Sequence, residues 1–359
     1  MPTDQIGVAV IGTGFGARCQ MPAIAAHPET KLVAVASQSL DRARLTAQTF
    51  GVPFFTDDYR KAIARDDVQL VSIVTPPHLH APIALAALRA GKHVICEKPF
   101  AMNEREARAL VEAAHKAKRV GLIDHEFRFL PERLRMRELV DDGWLGEVER
   151  IAFVEISSWM AAGGDYRFGW QSQAKCGGGI LGAIGSHAID FCRTIAGEVR
   201  EVDATLATKV KQQPRRQGAA GTVDADDNAS VRLVHASGVI SSIELCATAA
   251  AATSTIIVSG TKGVLRIDGN QLFGIREGQG AVPVTAPART RKKFPPGSHR
   301  LVPAFYTFLG EAIAAMRGGS SSAPTFLDGL RVQTVLDAAR RSARARRSVR
   351  IVIRKGRGS

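Results

Sequence analysis

The stretch VAVIGTGFGA, residues 8–17, decides the fold. An apolar run of strand length, IGVAVIG (6–12), ends on a glycine, and ARCQMPAIAAH (17–27) follows with helical spacing. The turn between them reads Gly12-x-Gly14-x-x-Ala17. Gly12 permits a tight turn, Gly14 lets backbone approach a pyrophosphate, and Ala17 is the third small residue, where helix packs on strand. Thr13 and Phe15 line the same turn. Phosphate is favoured there because the open N–H groups and the dipole of a helix N-terminus both point at it. A glycine pattern alone is weak, but a strand before it, a helix after it and a second strand beyond make a dinucleotide-binding fingerprint.

The flanking sequence supplies that context. KLVAVAS (31–37), LVSIVTP (70–76), KHVICEKP (92–99) and VGLIDHEF (120–127) read as further apolar strands. DRARLTAQTF (41–50), HAPIALAALRAG (80–91, closed by Gly91) and NEREARALVEAAHKAKR (103–119) read as helices. Alternating helices and continuously apolar strands predict a parallel sheet covered on both faces. The expectation is an α/β Rossmann domain, doubly wound, over residues 1–126.

After that the period changes. GEVERIAFVEISSW (146–159) reads as a long strand, ASVRLVHASGVISSIELCAT (229–248) as a hairpin around Ala-Ser-Gly, and TSTIIVSGTKGVLRIDG (253–269) as another strand pair. Helices are expected around 302–317 and 326–345, and long surface loops over 209–227 and 278–298. This predicts a C-terminal α+β domain, residues 127–345, with an open, mostly antiparallel sheet, and then a basic tail, 346–359.

The chain has 359 residues, enough for two domains, and 45% hydrophobic with 23% charged residues reads as a soluble globular protein. MPTDQIGVAVIG has no basic region before its short apolar run, and no stretch approaches the roughly 18 apolar residues of a membrane span. Cys19, Cys96, Cys176, Cys192 and Cys246 are scattered and form no CxxC pair. That fits reduced thiols in the cytoplasm and neither a disulfide framework nor a metal site. The net charge of +14 is concentrated in RTRKKFPPGSHR (289–300) and RRSARARRSVRIVIRKGRGS (340–359). Neither segment interleaves aromatics as single-strand binders do, so nucleic acid is not the expected partner. Solvated helix ends and a frayed tail explain the charge.

The second strand ends in Ser37, Gln38 and Ser39, with Arg42 and Arg44 beyond. An NAD site places Asp or Glu there for the ribose 2′-hydroxyl. Hydroxyls with Arg42 nearby can instead accept a 2′-phosphate, so NADP is favoured over NAD. The structural alternative is that these serines cap the following helix.

CEKPF (96–100), TPPHLH (75–80), RFLPERLRMRELVDDGWLGEV (128–148) and GGGILGAIGSHAID (177–190) occur in order along the chain. Together they make the sequence resemble the glucose-fructose oxidoreductase, inositol dehydrogenase and rhizopine-catabolism (Gfo/Idh/MocA) oxidoreductase family. The resemblance implies a nicotinamide cofactor and a homo-dimer or homo-tetramer packed through the open sheet. It also implies that Lys98 points at nicotinamide and substrate, beside Glu97, with Thr75, Pro76 and His80 along the cofactor cleft. His80 reads equally well as a surface histidine at a helix start.

The family pattern GGGxLxDxGxH puts Asp four residues before a catalytic His, on one helix face. Here His187 is present and the Asp position is Ala183; Asp190 lies three residues on. Lys98 and His187 are therefore the candidate catalytic pair. Hydride leaves a carbon as its hydroxyl proton is lost, so such a site needs a base and a group that stabilises the alkoxide. Tyr166, Arg167, Trp170 and Lys175, in the segment 157–179, are candidate substrate contacts: aromatic rings for a sugar face, cations for an acid. The same segment reads equally as a lid packed for structure.

The expected function is an NAD(P)-dependent oxidoreductase acting on the CH–OH group of a sugar, polyol or related small molecule. Two alternatives remain. One is a dinucleotide-binding regulator or catalytically impaired member, because Ala183 replaces the Asp. The other is an enzyme that uses the cofactor only transiently within a hydrolase or epimerase cycle.

Overall fold

A computed structural model describes residues 5–162, 164, 166–286 and 292–352. The chain forms two compact units, Met1–Leu130 with Ala288–Leu330, and Pro131–Pro287 with Arg331–Ser359.

The first unit is built on six parallel strands: β1 (Ile6–Ile11), β2 (Thr30–Ala36), β3 (Phe54–Thr56), β4 (Leu70–Ile73), β5 (His93–Cys96) and β6 (Gly121–Ile123). Their order is β3-β2-β1-β4-β5-β6, the doubly wound arrangement. Helices α1 (Met21–Ala26), α2 (Leu40–Phe50), α3 (Tyr59–Ile63), α4 (His80–Arg89) and α5 (Glu104–Ala117) make the crossovers. Val8, Ala9, Val10, Val71 and Ile73 are buried, as strands covered on both faces require. The strand order reverses between β1 and β4, so the crevice for a ligand lies off the ends of these two strands.

The strand expected over 120–127 covers only Gly121–Ile123, and a 3₁₀ turn follows at Glu126–Phe129. Asp124, His125 and Glu126 are all buried, so the polar run turns into the unit instead of alternating along a strand. The Asp124 N–H donates to the Cys96 carbonyl at 2.7 Å, and the edge of β6 is bridged by Thr325 opposite Leu122.

The second unit begins with α6 (Pro131–Asp141), β7 (Val148–Ile156), α7 (Ser186–Ala196) and β8 (Val199–Ala207). A two-stranded ribbon, β9 (Gln212–Gln213) with β10 (Gly221–Thr222), interrupts the segment expected to be loop. Then come β11 (Asn228–His235), β12 (Ile240–Cys246), β13 (Thr253–Gly260), β14 (Gly263–Asp268), β15 (Gln271–Ile275) and β16 (Val282–Val284). A nine-stranded sheet runs β16-β15-β14-β13-β7-β12-β11-β8-β17, where β17 is Val349–Arg350. Among the described residues of this sheet, only β7 and β12 pair in parallel. Along β12, Ser241, Ile243 and Leu245 are buried while Ile240, Ser242, Glu244 and Cys246 are not, the period-2 pattern of a sheet with one covered face. The covered side packs Phe153, Ile243 and Ile256 with Met136 and Leu139 of α6 and Ile189 and Phe191 of α7.

Two expectations are corrected. The tail does not all fray: Val349 pairs with Val202, and Arg350 with Glu201, at the sheet edge, while 353–359 lie outside the described residues. Nor does one cut near 126 divide the chain. The helix α8 (Val302–Met316) belongs to the first unit, because Phe305 and Phe308 pair their rings at 5.7 Å, Phe308 meets Phe129 at 5.7 Å, and all three are buried. The last helix, α9 (Phe326–Ala345), gives Phe326 and Leu330 to the first unit's core and Val332, Val335 and Leu336 to the second's. No helix among the described residues is long and apolar enough to cross a membrane.

Candidate active site

The glycine turn stands at the end of β1. Gly12 has φ +117, and a Cβ there would lie 2.2 Å from the Val74 carbonyl oxygen, so a side chain is excluded. A Cβ on Gly14 would meet nothing within 4 Å: the backbone faces open space, the room a pyrophosphate needs. The Thr13 hydroxyl donates to Ser37 Oγ at 3.1 Å, tying the turn to the end of β2. Phe15 meets His299 edge-on at 5.3 Å. From Gly16 to Gln20 the chain winds as a π-helical turn before α1. Gly16 lies against the strand, where a Cβ would stand 3.2 Å from Val10 Cγ1, and Ala17 beside it is half-buried.

At the end of β2, Ser39 caps α2 by accepting the Arg42 N–H at 3.3 Å, and Asp41 pairs with Arg44 at 3.0 Å. The Arg42 residue is exposed. Beyond β4, Thr75 Oγ1 is buried without a hydrogen-bond partner. Pro76 then leads into the turn that opens α4. His80 is neither on the surface nor on an open wall. Its ring is fully buried, with Nε2 2.8 Å from the Thr75 carbonyl and Nδ1 3.0 Å from the Pro99 carbonyl. It lies between the two loops that leave β4 and β5, and burial lowers its pKa to about 4, so the neutral ring donates to one of the two carbonyls.

β5 delivers Glu97 and Lys98, and the Lys98–Pro99 bond is cis. Lys98 is half-buried, and its backbone N–H donates to Glu97 Oε2 at 3.2 Å. Glu97 Oε1 accepts from Gln20 Nε2 at 2.9 Å, and the same amide nitrogen donates to Asp124 Oδ2 at 2.8 Å. The Ser72 hydroxyl donates to Gln20 Oε1 at 2.5 Å. All four residues are buried. Burial pushes both carboxyls above their usual range; for Asp124 the charges of Glu126 and Glu97 add to it, and for Glu97 the charge of Lys98 opposes it. Nearby, Arg128 pairs with Asp328 at 3.4 Å.

In the second unit, three glycines lead into the helix that carries His187. Gly179 has φ +107, and a Cβ there would lie 2.4 Å from Asp226 Oδ1; the Asp226 carboxylate accepts the Leu181 N–H at 2.7 Å. Leu181–Gly185 forms a second π-helical turn, followed by α7. His187 is buried. Asp190 lies 4.0 Å from Arg193 of its own helix, which also pairs with Glu198 at 2.8 Å.

The segment 157–179 is stapled in place. Trp159 and Tyr166 meet edge-on at 5.2 Å, and the Tyr166 hydroxyl donates to Gln171 Oε1 at 3.1 Å. Burial raises the Tyr166 pKa to about 12. Ser172 donates to Gln213 at 2.6 Å, and Asp224 accepts the Ala174 N–H at 2.7 Å. Arg167 and Lys175 are exposed, and Trp170 is half-buried.

The first unit therefore gathers Gly12, Thr13, Gly14, Phe15, Ser37, Thr75 and Lys98 at neighbouring strand ends. The second holds His187 and the 157–179 segment. Gln20, Ser72, Asp124 and His299 escaped the sequence reading. For Asp124 a signal existed: the run Asp-His-Glu follows an apolar strand without a turn residue. A lone Gln20 or Ser72 in an apolar pattern gives none.

A doubly wound sheet with a glycine turn at its switch point, together with a unit built on a large, mostly antiparallel sheet, defines a class of nicotinamide-dependent oxidoreductases. Family models agree: one described as an oxidoreductase family with NAD-binding Rossmann fold matches residues 6–125, and the GFO/IDH/MocA C-terminal domain matches 134–266. The chain belongs to the Gfo/Idh/MocA family and is an NAD(P)-dependent oxidoreductase. It is 31% identical over 286 residues to levoglucosan dehydrogenase of Pseudarthrobacter phenanthrenivorans, covering 72% of this chain and 73% of that one. A solved levoglucosan dehydrogenase, in complex with NADH and levoglucosan, superimposes with TM-score 0.88 at 27% identity, over 96% of this chain and 99% of that one. An aldose-aldose oxidoreductase from Caulobacter crescentus, complexed with glycerol, gives TM-score 0.81 at 26% identity, over 97% of this chain and all of the other.

Proposed function

We propose that the protein transfers hydride between a nicotinamide dinucleotide and a secondary alcohol or ketone of a sugar or polyol. The observation that carries this reading is the likeness, over nearly the whole chain, to a dehydrogenase solved with NADH and a sugar derivative, in a chain that keeps Lys98 and His187. The residues fit the dinucleotide: open space over Gly14 and the orphaned Thr75 hydroxyl both suit a polar ligand at the switch point. The nicotinamide, when bound, supplies or takes the hydride. Lys98 Nζ and a ring nitrogen of His187 hold and move the hydroxyl proton, help worth roughly 10²- to 10⁴-fold in such reactions. Tyr166, Arg167, Trp170 and Lys175 supply substrate contacts.

The absence of a carboxylate among Ser37, Gln38 and Ser39 favours NADP(H) over NAD(H). Arg42 is free to turn toward a 2′-phosphate, although Ser39 also serves as a helix cap. The outward face of the second unit's sheet is the surface for a dimer or tetramer. The test is fluorescence titration with NADPH and NADH, followed by a panel of sugars and polyols read by reduced-cofactor absorbance. Turnover of at least one substrate is expected; dinucleotide binding with no turnover across the panel refutes the dehydrogenase. That outcome would support the second reading, a dinucleotide-binding regulator, which Ala183 in place of the usual Asp favours.

A further inference from the structure

Beneath Lys98 lies a polar cluster drawn from four elements of the first unit. Gln20 comes from the turn before α1, Ser72 from β4, Glu97 from the end of β5 and Asp124 from the end of β6. One amide nitrogen of Gln20 donates to both carboxyls, at 2.9 and 2.8 Å, and Ser72 fixes the orientation of that amide by donating to its oxygen. Glu97 Oε1 and Asp124 Oδ2 thus meet at a single nitrogen, which makes the two buried carboxyls neighbours. Two adjacent buried carboxyls cannot both ionise, so one proton is held and one negative charge remains. Lys98 stands next to that charge, with its backbone N–H on Glu97 Oε2.

We propose that Gln20 and Asp124 are positioning residues for Lys98: they hold Glu97 as the charged member of a carboxyl pair that shares one proton, and so set the charge that Lys98 faces. The proposal rests on the reading that Lys98 handles the substrate proton. The other titratable groups around the pair are Lys98 itself, Glu126 beyond β6, Cys96 on β5, and Cys19 with Arg18 from the turn before α1. Burial and the same acids keep both thiols neutral, so Lys98 and Glu126 are the neighbours whose charges matter.

The proton is visible without any substrate. Infrared spectra of the full-length protein at pH 8 should show a protonated carboxyl C=O band. Labelling with ¹³C-aspartate should shift it, which assigns it to an aspartic acid in the unmutated chain. The band should vanish in Asp124→Asn, whose amide imitates the protonated acid. In turnover, Asp124→Asn keeps the charge on Glu97 and should leave the acid limb of the pH profile in place. Glu97→Gln moves the charge away from Lys98 and should move that limb to lower pH. Gln20→Met should lower kcat about tenfold, the worth of one buried hydrogen bond, with dinucleotide Kd changed by less than about twofold.

No aspartic C=O band at pH 8, or a limb unmoved by Glu97→Gln, overturns the proposal. If no sugar or polyol is turned over, the dehydrogenase reading fails by that result, and the infrared arm still decides whether the pair holds its proton.

Discussion

Replacing His80 by Gln removes a ring that is buried between two carbonyls, and the consequence depends on pH. In the folded chain the pKa of His80 falls from 6.5 to about 4, chiefly through burial. At pH 7 the ring is neutral whether the chain is folded or not, so titration contributes nothing to stability. As pH falls through 6.5, the unfolded chain binds a proton that the folded one refuses until about pH 4, and stability drops. The loss from this one residue is about 2 kcal/mol at pH 5 and about 3 kcal/mol at pH 4. His80→Gln cannot titrate, so it loses the one hydrogen bond that the neutral ring donates at pH 7, at about 1–3 kcal/mol, and escapes the acid penalty. Urea unfolding followed by circular dichroism at pH 7 and pH 5 gives the double difference directly. The variant should lose about 2 kcal/mol less than the parent between the two pH values. His27, His93, His235 and His299, also lowered by burial, act equally in both proteins and cancel. Equal losses in parent and variant would show that His80 titrates as it does in the unfolded chain, and its burial between the two carbonyls would be wrong.

Other substitutions probe the site. Gly12→Ala forces a side chain to φ +117 and against the Val74 carbonyl, so dinucleotide binding should be lost and the melting point should drop, with about 1–3 kcal/mol from the backbone alone. Lys98→Met and His187→Ala should each lower kcat by roughly 10²-fold or more while dinucleotide Kd in His187→Ala stays near the parent value; single-turnover kinetics separate the two effects. Ser37→Asp places a carboxylate at the end of β2 and should weaken NADPH about tenfold or more relative to NADH, as a pair of titrations will show. Phe305→Ala opens a cavity in a fully buried position and should cost about 3–5 kcal/mol in denaturant unfolding.

The first unit was legible because its signals are local. Apolar runs bounded by glycine, and helices that start at Ser39 and Asn103, encode themselves within ten or fifteen residues. The hairpins of the second unit were legible for the same reason, through the turns after His235 and Gly260. What escaped is set by distant partners. Nothing near Val349 says that it will pair with Val202, and nothing near Phe308 says that it will pack beside Phe129 rather than on the second sheet. In the site, residue types were readable while their company was not. His80 was assigned to a cleft wall on its position after Thr75, but its two ring contacts depend on where Pro99 ends up. The π-helical turns at Gly16–Gln20 and Leu181–Gly185 leave no mark in a 3.6-residue periodicity, yet the first begins at the glycine that lies against the strand.

The return of residues 302–330 to the first unit has a consequence for how the protein is made. A ribosome finishes β6 two hundred residues before it supplies the segment that bridges that strand's edge, where Ile123 N–H donates to the Pro324 carbonyl at 3.0 Å. Until then Phe129 lacks the ring of Phe308 in α8, and a strand edge stays open to other chains. A fragment ending at Leu130 would carry the whole glycine turn and still be adhesive. Anyone excising the nucleotide-binding half should append the late helix, or expect inclusion bodies.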